Sequence, residues 1–352
     1  FMFFCHGGIA VIYTMTLNPA LDYVMQPNTL DMGFTNRSQA EELHCGGNGI
    51  NVSTLLNELD MVTVAMGIVA GFTGDYLLSD LQKQGIPSNF VKLDSGFTRI
   101  NVKLDGIVMT MVNGMGPRIP EKKVDELLRR MDVVGSGDTL VLTGSIPNSL
   151  PEDIYTRLMQ QLAGRGIQFV VDAPGQLLME AIKAHPFLIK PNNHEVGRIF
   201  NATPETPEEC IPFAQKLQEN GARNVIVSCG GSGSLLLDEY GETHIVPSVK
   251  IHLVNATGAG DSMVGGFLAK TTQGFDYETA LIYASACGTA TAASKGIAKR
   301  TTIDRVVGAL YKKMGRKMPA AIAEEIKANH AKAEIREKDW LGTKHAHEKE
   351  DK

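Results

Sequence analysis

The chain has 352 residues, 43% of them apolar and 21% charged, with a net charge of −5 and an isoelectric point near 6.0. At roughly 100–200 residues per domain it is one large α/β domain or two smaller units, and its ordinary apolar content excludes wholesale disorder. The acidic balance excludes the electrostatic footprint of a nucleic-acid binder, and no apolar run reaches the ~18 residues of a membrane span.

Residues 1–10 read as an N-terminal extension. Phe1-Met2-Phe3-Phe4-Cys5-His6-Gly7-Gly8 is apolar but lacks a basic leader and an adequate apolar core, so no signal peptide is expected. It begins with Phe, as a translated upstream stretch or a fragment would. The first strong strand covers 10–17 and closes on the turn pair Asn18-Pro19. Gly46-Gly47-Asn48-Gly49 leads into helical spacing over 50–59, followed by a strand over 62–69. Strands at 138–142, 168–171, 187–189, 224–228 and 234–237 then alternate with helices after Pro151, before His185 and around 212–217.

Strands separated by helical crossovers predict an α/β fold, a doubly wound and mostly parallel sheet flanked by helices. Residues 19–37 and 97–113 break the alternation with short strand-like patterns, which predicts a small β lid. The main domain is therefore 11–315. Residues 316–352 form a charged tail rich in Lys, Glu, Ala and His, expected as an exposed helix with frayed ends outside the core. His345 and His347 there make a candidate metal pair, against the simpler reading of a solvated tail. The five cysteines (Cys5, Cys45, Cys210, Cys229, Cys287) are odd in number and none has CxxC spacing. That pattern argues against a zinc site or disulfide framework and predicts reduced thiols in a cytoplasmic protein.

The sharpest motif is Asn255-Ala256-Thr257-Gly258-Ala259-Gly260-Asp261-Ser262, running into a helix. Small residues at a helix start let several N–H groups converge on one point, and the helix dipole makes that point an anion site. Asp261, on the first turn, is either an N-terminal cap or a general base. Gly46-Gly47-Asn48-Gly49-Ile50-Asn51 follows the same logic, with Asn51 as donor and acceptor, or it is a turn leading into a helix. Val227-Ser228-Cys229-Gly230-Gly231-Ser232-Gly233 suits backbone packing against a nucleotide, although hairpins use the same residues. The loop at 257–261 is neither a Walker A loop nor a dinucleotide fingerprint.

The order of these clusters, together with Ile189-Lys190-Pro191-Asn192, resembles the ribokinase-like (PfkB) sugar kinases from about Val11 to Ala309. Within that family the chain is most similar to 1-phosphofructokinases and tagatose-6-phosphate kinases. Further residues that carry the resemblance are Thr16-Leu17-Asn18-Pro19-Ala20-Leu21-Asp22-Tyr23, Thr98-Arg99-Ile100-Asn101-Val102-Lys103-Leu104 and Thr143-Gly144-Ser145-Ile146-Pro147. The run at 99–104 and Asn113-Gly114 look more like the fructose-1-phosphate enzymes.

The resemblance implies roles that chemistry supports residue by residue. Asp261 would take the proton of the acceptor hydroxyl, with Gly258, Ala259 and Gly260 N–H groups stabilising the transferring phosphoryl group. Asp22 and Asn51, with the Gly46-Gly47 backbone, would bind sugar hydroxyls. Arg99, with Arg37 and Lys103, would bind the phosphate already on the sugar. Lys190, Asn192, Ser228, Gly230, Gly231, Gly233 and Thr257 would line the ATP site. Asn192 and Glu195 form the family's NxxE motif, tied to Mg²⁺ through water. Their plainer readings are a strand-terminal cap and a surface carboxylate.

Several positions depart from the family pattern. Asn48 stands where close relatives often carry Lys, and Met115 replaces a frequent Pro. Met109 to Met111 occupy a usually polar stretch, Ala256 replaces Thr, Ser or Val, and Ser294 replaces an Asn near the adenine. These touch sugar specificity rather than phosphotransfer.

The leading expectation is ATP- and Mg²⁺-dependent conversion of fructose 1-phosphate to fructose 1,6-bisphosphate. The alternatives are tagatose 6-phosphate or fructose 6-phosphate as acceptor, or a non-catalytic sugar-phosphate sensor. A dinucleotide-dependent oxidoreductase is disfavoured because the first strand lacks the fingerprint. Lid strands with open edges would pair with a second subunit, so a homodimer through the lid is expected.

Overall fold

The computed structural model describes residues 10–104 and 110–331. The first half contains β1 (Ile12–Thr16), β2 (Ala20–Pro27), β3 (Ser38–Gly46), α1 (Asn48–Glu58), β4 (Thr63–Ala70), α2 (Gly71–Lys83) and β5 (Ser88–Leu93). Next come β6 (Arg99–Leu104), β7 (Thr110–Asn113), α3 (Glu121–Arg130), β8 (Thr139–Thr143), α4 (Ile154–Gln161), β9 (Gln168–Asp172) and α5 (Gly175–Ile182). The rest is β10 (Leu188–Ile189), α6 (Asn193–Phe200), α7 (Pro207–Glu219), β11 (Asn224–Ser228), β12 (Ser234–Leu237), β13 (Thr243–Val246), α8 (Ala259–Thr272), α9 (Tyr277–Ala292) and α10 (Arg300–Lys313).

Nine strands form one sheet in the order β13-β12-β11-β10-β9-β8-β1-β4-β5. All pairings from β11 to β5 are parallel, and β12 and β13 add an antiparallel margin. The strands read as continuous apolar runs because both faces are covered. Leu140, Leu142, Val171 and Ile189 pack on one face with residues of α3–α7. Val141, Val170, Leu188 and Ile226 pack on the other with α1 and α8–α10. Strand order reverses at β1, between β4 and β8, and crevices open at the carboxyl ends of strands at such a point.

The second sheet is the lid, with strand order β3-β2-β6-β7. Its base is anchored where Leu21, Cys45 and Ile100 reach the cluster of Ile50, Leu77, Leu81 and Phe90. The lid bounds drawn from sequence need correcting. Residues 28–37 form an exposed loop, and the second strand is Ser38–Gly46. Glu41, Glu42 and His44 on this edge strand hide the alternation that a half-buried strand shows.

The expected exposed tail is also corrected in part. Residues 320–331 are helical and docked: Ile322 is fully buried, and Glu325 bridges Lys270 of α8 and Arg300 of α10. Met109, Trp340, His345, His347 and the segment 1–9 lie outside the described residues. Cys45, Cys210, Cys229 and Cys287 are free thiols, and Cys210 Sγ lies 3.7 Å from Cys229 Sγ. No helix among the described residues is long and apolar enough to cross a membrane.

Candidate active site

Gly258 starts α8 with φ +81°, a left-handed conformation that a side chain resists. A Cβ there would also come within 2.8 Å of Ile297 Cδ1. No side chain caps the helix, so first-turn N–H groups stay open to an anion, in keeping with the dipole. The N–H of Ala259 is the exception, since it donates to the Ala256 carbonyl at 3.3 Å. The glycine at 260 leaves room for another group: a Cβ there would stand 2.9 Å from Lys190 Nζ.

Asp261 lies three residues past the helix cap and caps nothing. Its Oδ2 accepts from Asn51 Nδ2 at 2.8 Å, which joins the first turns of α1 and α8. Its buried Oδ1 has no partner. Burial, reinforced by the charge of Asp172, pushes the carboxyl up to about 7 against the opposing pull of Asn51, Lys190 and Asn48. A carboxylate in that range with one free oxygen is equipped to take a proton near neutral pH.

Asp172 ends β9 and Lys190 directly follows the adjacent parallel strand β10, and their side chains meet at 3.4 Å. Burial works against the Lys190 ammonium, but the charges of Asp172, Glu195 and Asp261 outweigh it and hold its pKa above the ordinary lysine value. Sequence reasoning had singled out Lys190 and passed over Asp172. The signal was available: a carboxylate closes the apolar run Phe169-Val170-Val171, at the same strand-end position that drew notice to Lys190.

The lid supplies the opposite wall. Asp22 of β2 faces Asn101 of β6 in register and accepts from Asn101 Nδ2 at 2.8 Å and from Lys103 Nζ at 2.7 Å. The Lys103 ammonium is therefore committed to Asp22. Gly46 packs against the same carboxylate, at 3.2 Å from a would-be Cβ to Oδ2, and Gly47 caps α1. Arg99 donates through Nε to the Asn18 carbonyl at 3.1 Å and through Nη1 to the Gly114 carbonyl at 3.3 Å. Burial lowers its pKa, against a smaller opposing effect of Asp22.

Arg37 is not gathered into this wall. It is exposed on the loop before β3, at the end of that strand opposite Gly46, roughly 30 Å of extended chain away.

Among the described residues, four of the six buried polar side-chain atoms without a partner surround this cleft: Thr16 Oγ1, Asn18 Oδ1, Asn101 Oδ1 and Asp261 Oδ1. Buried polar atoms are almost always paired. Their concentration here marks a place built for a polar ligand.

On the other flank, Ser228 bridges to Asn192, and Ser228 N–H donates to the Pro191 carbonyl at 3.2 Å. Asn192 and Glu195 form a reciprocal capping box at the start of α6, so Asn192 caps a helix rather than ending a strand. The box takes one Glu195 oxygen. A Cβ at Gly230 or Gly231 would meet nothing within 4 Å, which leaves room for a ligand beside them, while their carbonyls accept from Gly233 N–H and Ser248 Oγ. At Gly233 (φ +117°) a Cβ would fall 2.3 Å from the Val246 carbonyl, so this glycine serves strand packing. Thr257 is exposed on the anion loop, and its N–H donates to Asn255 Oδ1.

Residues 15–303 match the model of the pfkB family carbohydrate kinases. The chain is 38% identical over 297 residues to the 1-phosphofructokinase of Bacillus subtilis, covering 84% of this chain and 97% of that one. It is 32% identical over 296 residues to the D-tagatose-1-phosphate kinase of Bacillus licheniformis, with the same coverage of 84% and 97%. Among solved structures, Escherichia coli phosphofructokinase-2 in complex with fructose-6-phosphate superposes with a TM-score of 0.79 at 27% identity, covering 86% of this chain and 99% of that chain. The likeness runs through both sheets and both flanks of the cleft, over nearly the full length of each relative. The chain belongs to the pfkB family and is a carbohydrate kinase, a phosphotransferase with an alcohol group as acceptor.

Proposed function

We propose that this kinase phosphorylates a ketohexose 1-phosphate, fructose 1-phosphate first, at its 6-hydroxyl with ATP as donor. The observation that carries the reading is Arg99. Its guanidinium is half-buried at the base of the lid and bonded to two backbone carbonyls, with no carboxylate paired to it among the described residues. Such a group keeps donors and its full charge for a dianion. The relatives named for fructose 1-phosphate and tagatose 1-phosphate support the same class of acceptor.

In this reading Asn101, Asp22 and Asn51 orient the sugar, and Asp261 Oδ1 takes the proton of the acceptor hydroxyl. The hydroxyl oxygen bonds to the γ-phosphorus as the bond from that phosphorus to the bridging oxygen breaks, and ADP leaves. First-turn N–H groups of α8 and the Lys190 ammonium stabilise the charge on the transferring group. Asn192, Ser228, Gly230 and Gly231 line the nucleotide side.

The second oxygen of Glu195 suits a magnesium ion that keeps most of its waters, and that ion would neutralise the ATP phosphates. A hard carboxylate oxygen of this kind fits magnesium. A cytoplasmic setting, where thiols stay reduced, goes with this reading.

A panel of fructose 1-phosphate, tagatose 1-phosphate, tagatose 6-phosphate, fructose 6-phosphate and fructose under coupled ADP release tests the proposal. Fructose 1-phosphate should give the highest kcat/KM. Tagatose 1-phosphate in first place would move the reading to the second relative, and a preference for either 6-phosphate or for free fructose would overturn it.

A further inference from the structure

We propose that Asp172 is a positioning residue, whose carboxylate holds the Lys190 ammonium over the first turn of α8 and keeps it off the base Asp261. The inference rests on the kinase reading above. Lys190 and Asp172 side chains are 5% and 12% exposed, so neither has water as an alternative partner of any weight. Lys190 Nζ sits so close to Gly260 that a methyl group there would collide with it. That place is the positive end of a helix, which repels an ammonium. Something must hold the cation there, and Asp172 at 3.4 Å is the paired carboxylate.

The backbone of Asp172 is pinned to suit. Thr143 Oγ1 and Gly144 N–H both donate to its carbonyl, and β9 pairs with β8 through Thr143 opposite Asp172. Strand alternation puts Asp172 on the face of Val170, toward α8. Without Asp172 the ammonium is left to Glu195 and, after it, Asp261, and any pairing with Asp261 would occupy the free Oδ1 and take it from proton transfer.

The test is a double-mutant cycle on the full chain, with Asp172→Asn, Lys190→Met and both together, each confirmed folded by circular dichroism and thermal melting. Asp172→Asn should lower kcat roughly ten- to a hundredfold while KM for ATP and for fructose 1-phosphate changes by no more than about threefold. In the Lys190→Met background the same change should cost less than about twofold in single-turnover rate, because the group it positions is gone. Asp172→Glu, which restores the charge, should recover part of the loss. If Asp172→Asn does not fold, Asp172→Glu in the two backgrounds makes the same comparison.

An unchanged kcat in Asp172→Asn overturns the inference, as does an equal loss in both backgrounds. A loss that excess Mg²⁺ repairs also overturns it and makes Asp172 a cation ligand. Failure of the wild-type chain to phosphorylate any sugar of the panel would instead fault the kinase reading itself.

Discussion

At the scale of single residues, the chemistry turns on a carboxylate kept out of its ordinary range. Asp261 should be the base read in the acid limb of the kcat/KM profile, with the rate rising as pH passes through about 7. Asp261→Asn should abolish that limb and lower kcat by about 10²–10⁴-fold, and a flat limb in the wild type would count against the assignment. The same shift bears on stability. The folded state holds this proton more tightly than the unfolded chain does, so its contribution is full below about pH 4 and is lost as pH rises through about 7. Above that, ionised Asp261 costs on the order of 4 kcal/mol, and Asp261→Asn should be more stable than wild type at pH 8 by urea titration. Arg99→Ala should cut kcat/KM for the sugar phosphate by about ten- to a hundredfold, the worth of a charge-assisted contact. Equal losses on fructose, measured beside it, would mean that Arg99 only braces the Asn18 and Gly114 carbonyls.

At the scale of elements, α8 connects the two ends of the molecule. Its first turn carries the base, and its last turn carries Lys270, 1% exposed, whose ammonium meets Glu325 at 2.6 Å and Gln273 Oε1 at 2.9 Å. Glu325 also bonds Arg300, which in turn pairs with Asp304 at 3.3 Å. Taking away one partner of a buried pair leaves a charge that nothing offsets, at about 3–5 kcal/mol; Glu325 keeps some contact with water, which favours the lower end. Glu325→Ala should therefore lower the calorimetric Tm by several degrees, on the order of 5 °C. Adding Lys270→Met should recover much of the loss. If Glu325→Ala melts with the wild type, the helix over 320–331 contributes little through this pair.

At the scale of the whole molecule, the lid presents a face that the described residues leave uncovered. Leu43, Tyr23, Val102 and Val112 stand side by side across β3, β2, β6 and β7 in register, with Leu43 41% and Val112 62% exposed. This row continues outward from Leu21, Cys45 and Ile100, which are packed on the body. Both margins of the lid, β3 and β7, are also unpaired among the described residues. The expectation of a homodimer through the lid is tested on this row. Light scattering at micromolar concentration should give a homodimer, and Val112→Asp should give a monomer; a monomeric wild type would leave the lid face unexplained.

The amino-acid sequence by itself determined the alternation of strands and helices, the parallel core and the two glycine-led helix starts. These follow from local causes, namely apolar period, turn residues and the backbone freedom of glycine at Gly258. It also singled out Asp261, Asn51, Asp22 and Lys190, because each sits beside such a local signal. Pairing in space was decided only by the tertiary structure. Asp172 and Lys190 are brought together by neighbouring strands, Asn51 and Asp261 by two helix starts facing one cleft, and Lys103 is bound to Asp22 rather than left free. The docked helix over 320–331 was illegible for the same reason. A segment rich in Lys, Glu and Ala carries the composition of an exposed helix, and only the buried charges of Lys270 and Arg300, placed there by the fold, give Glu325 a reason to dock.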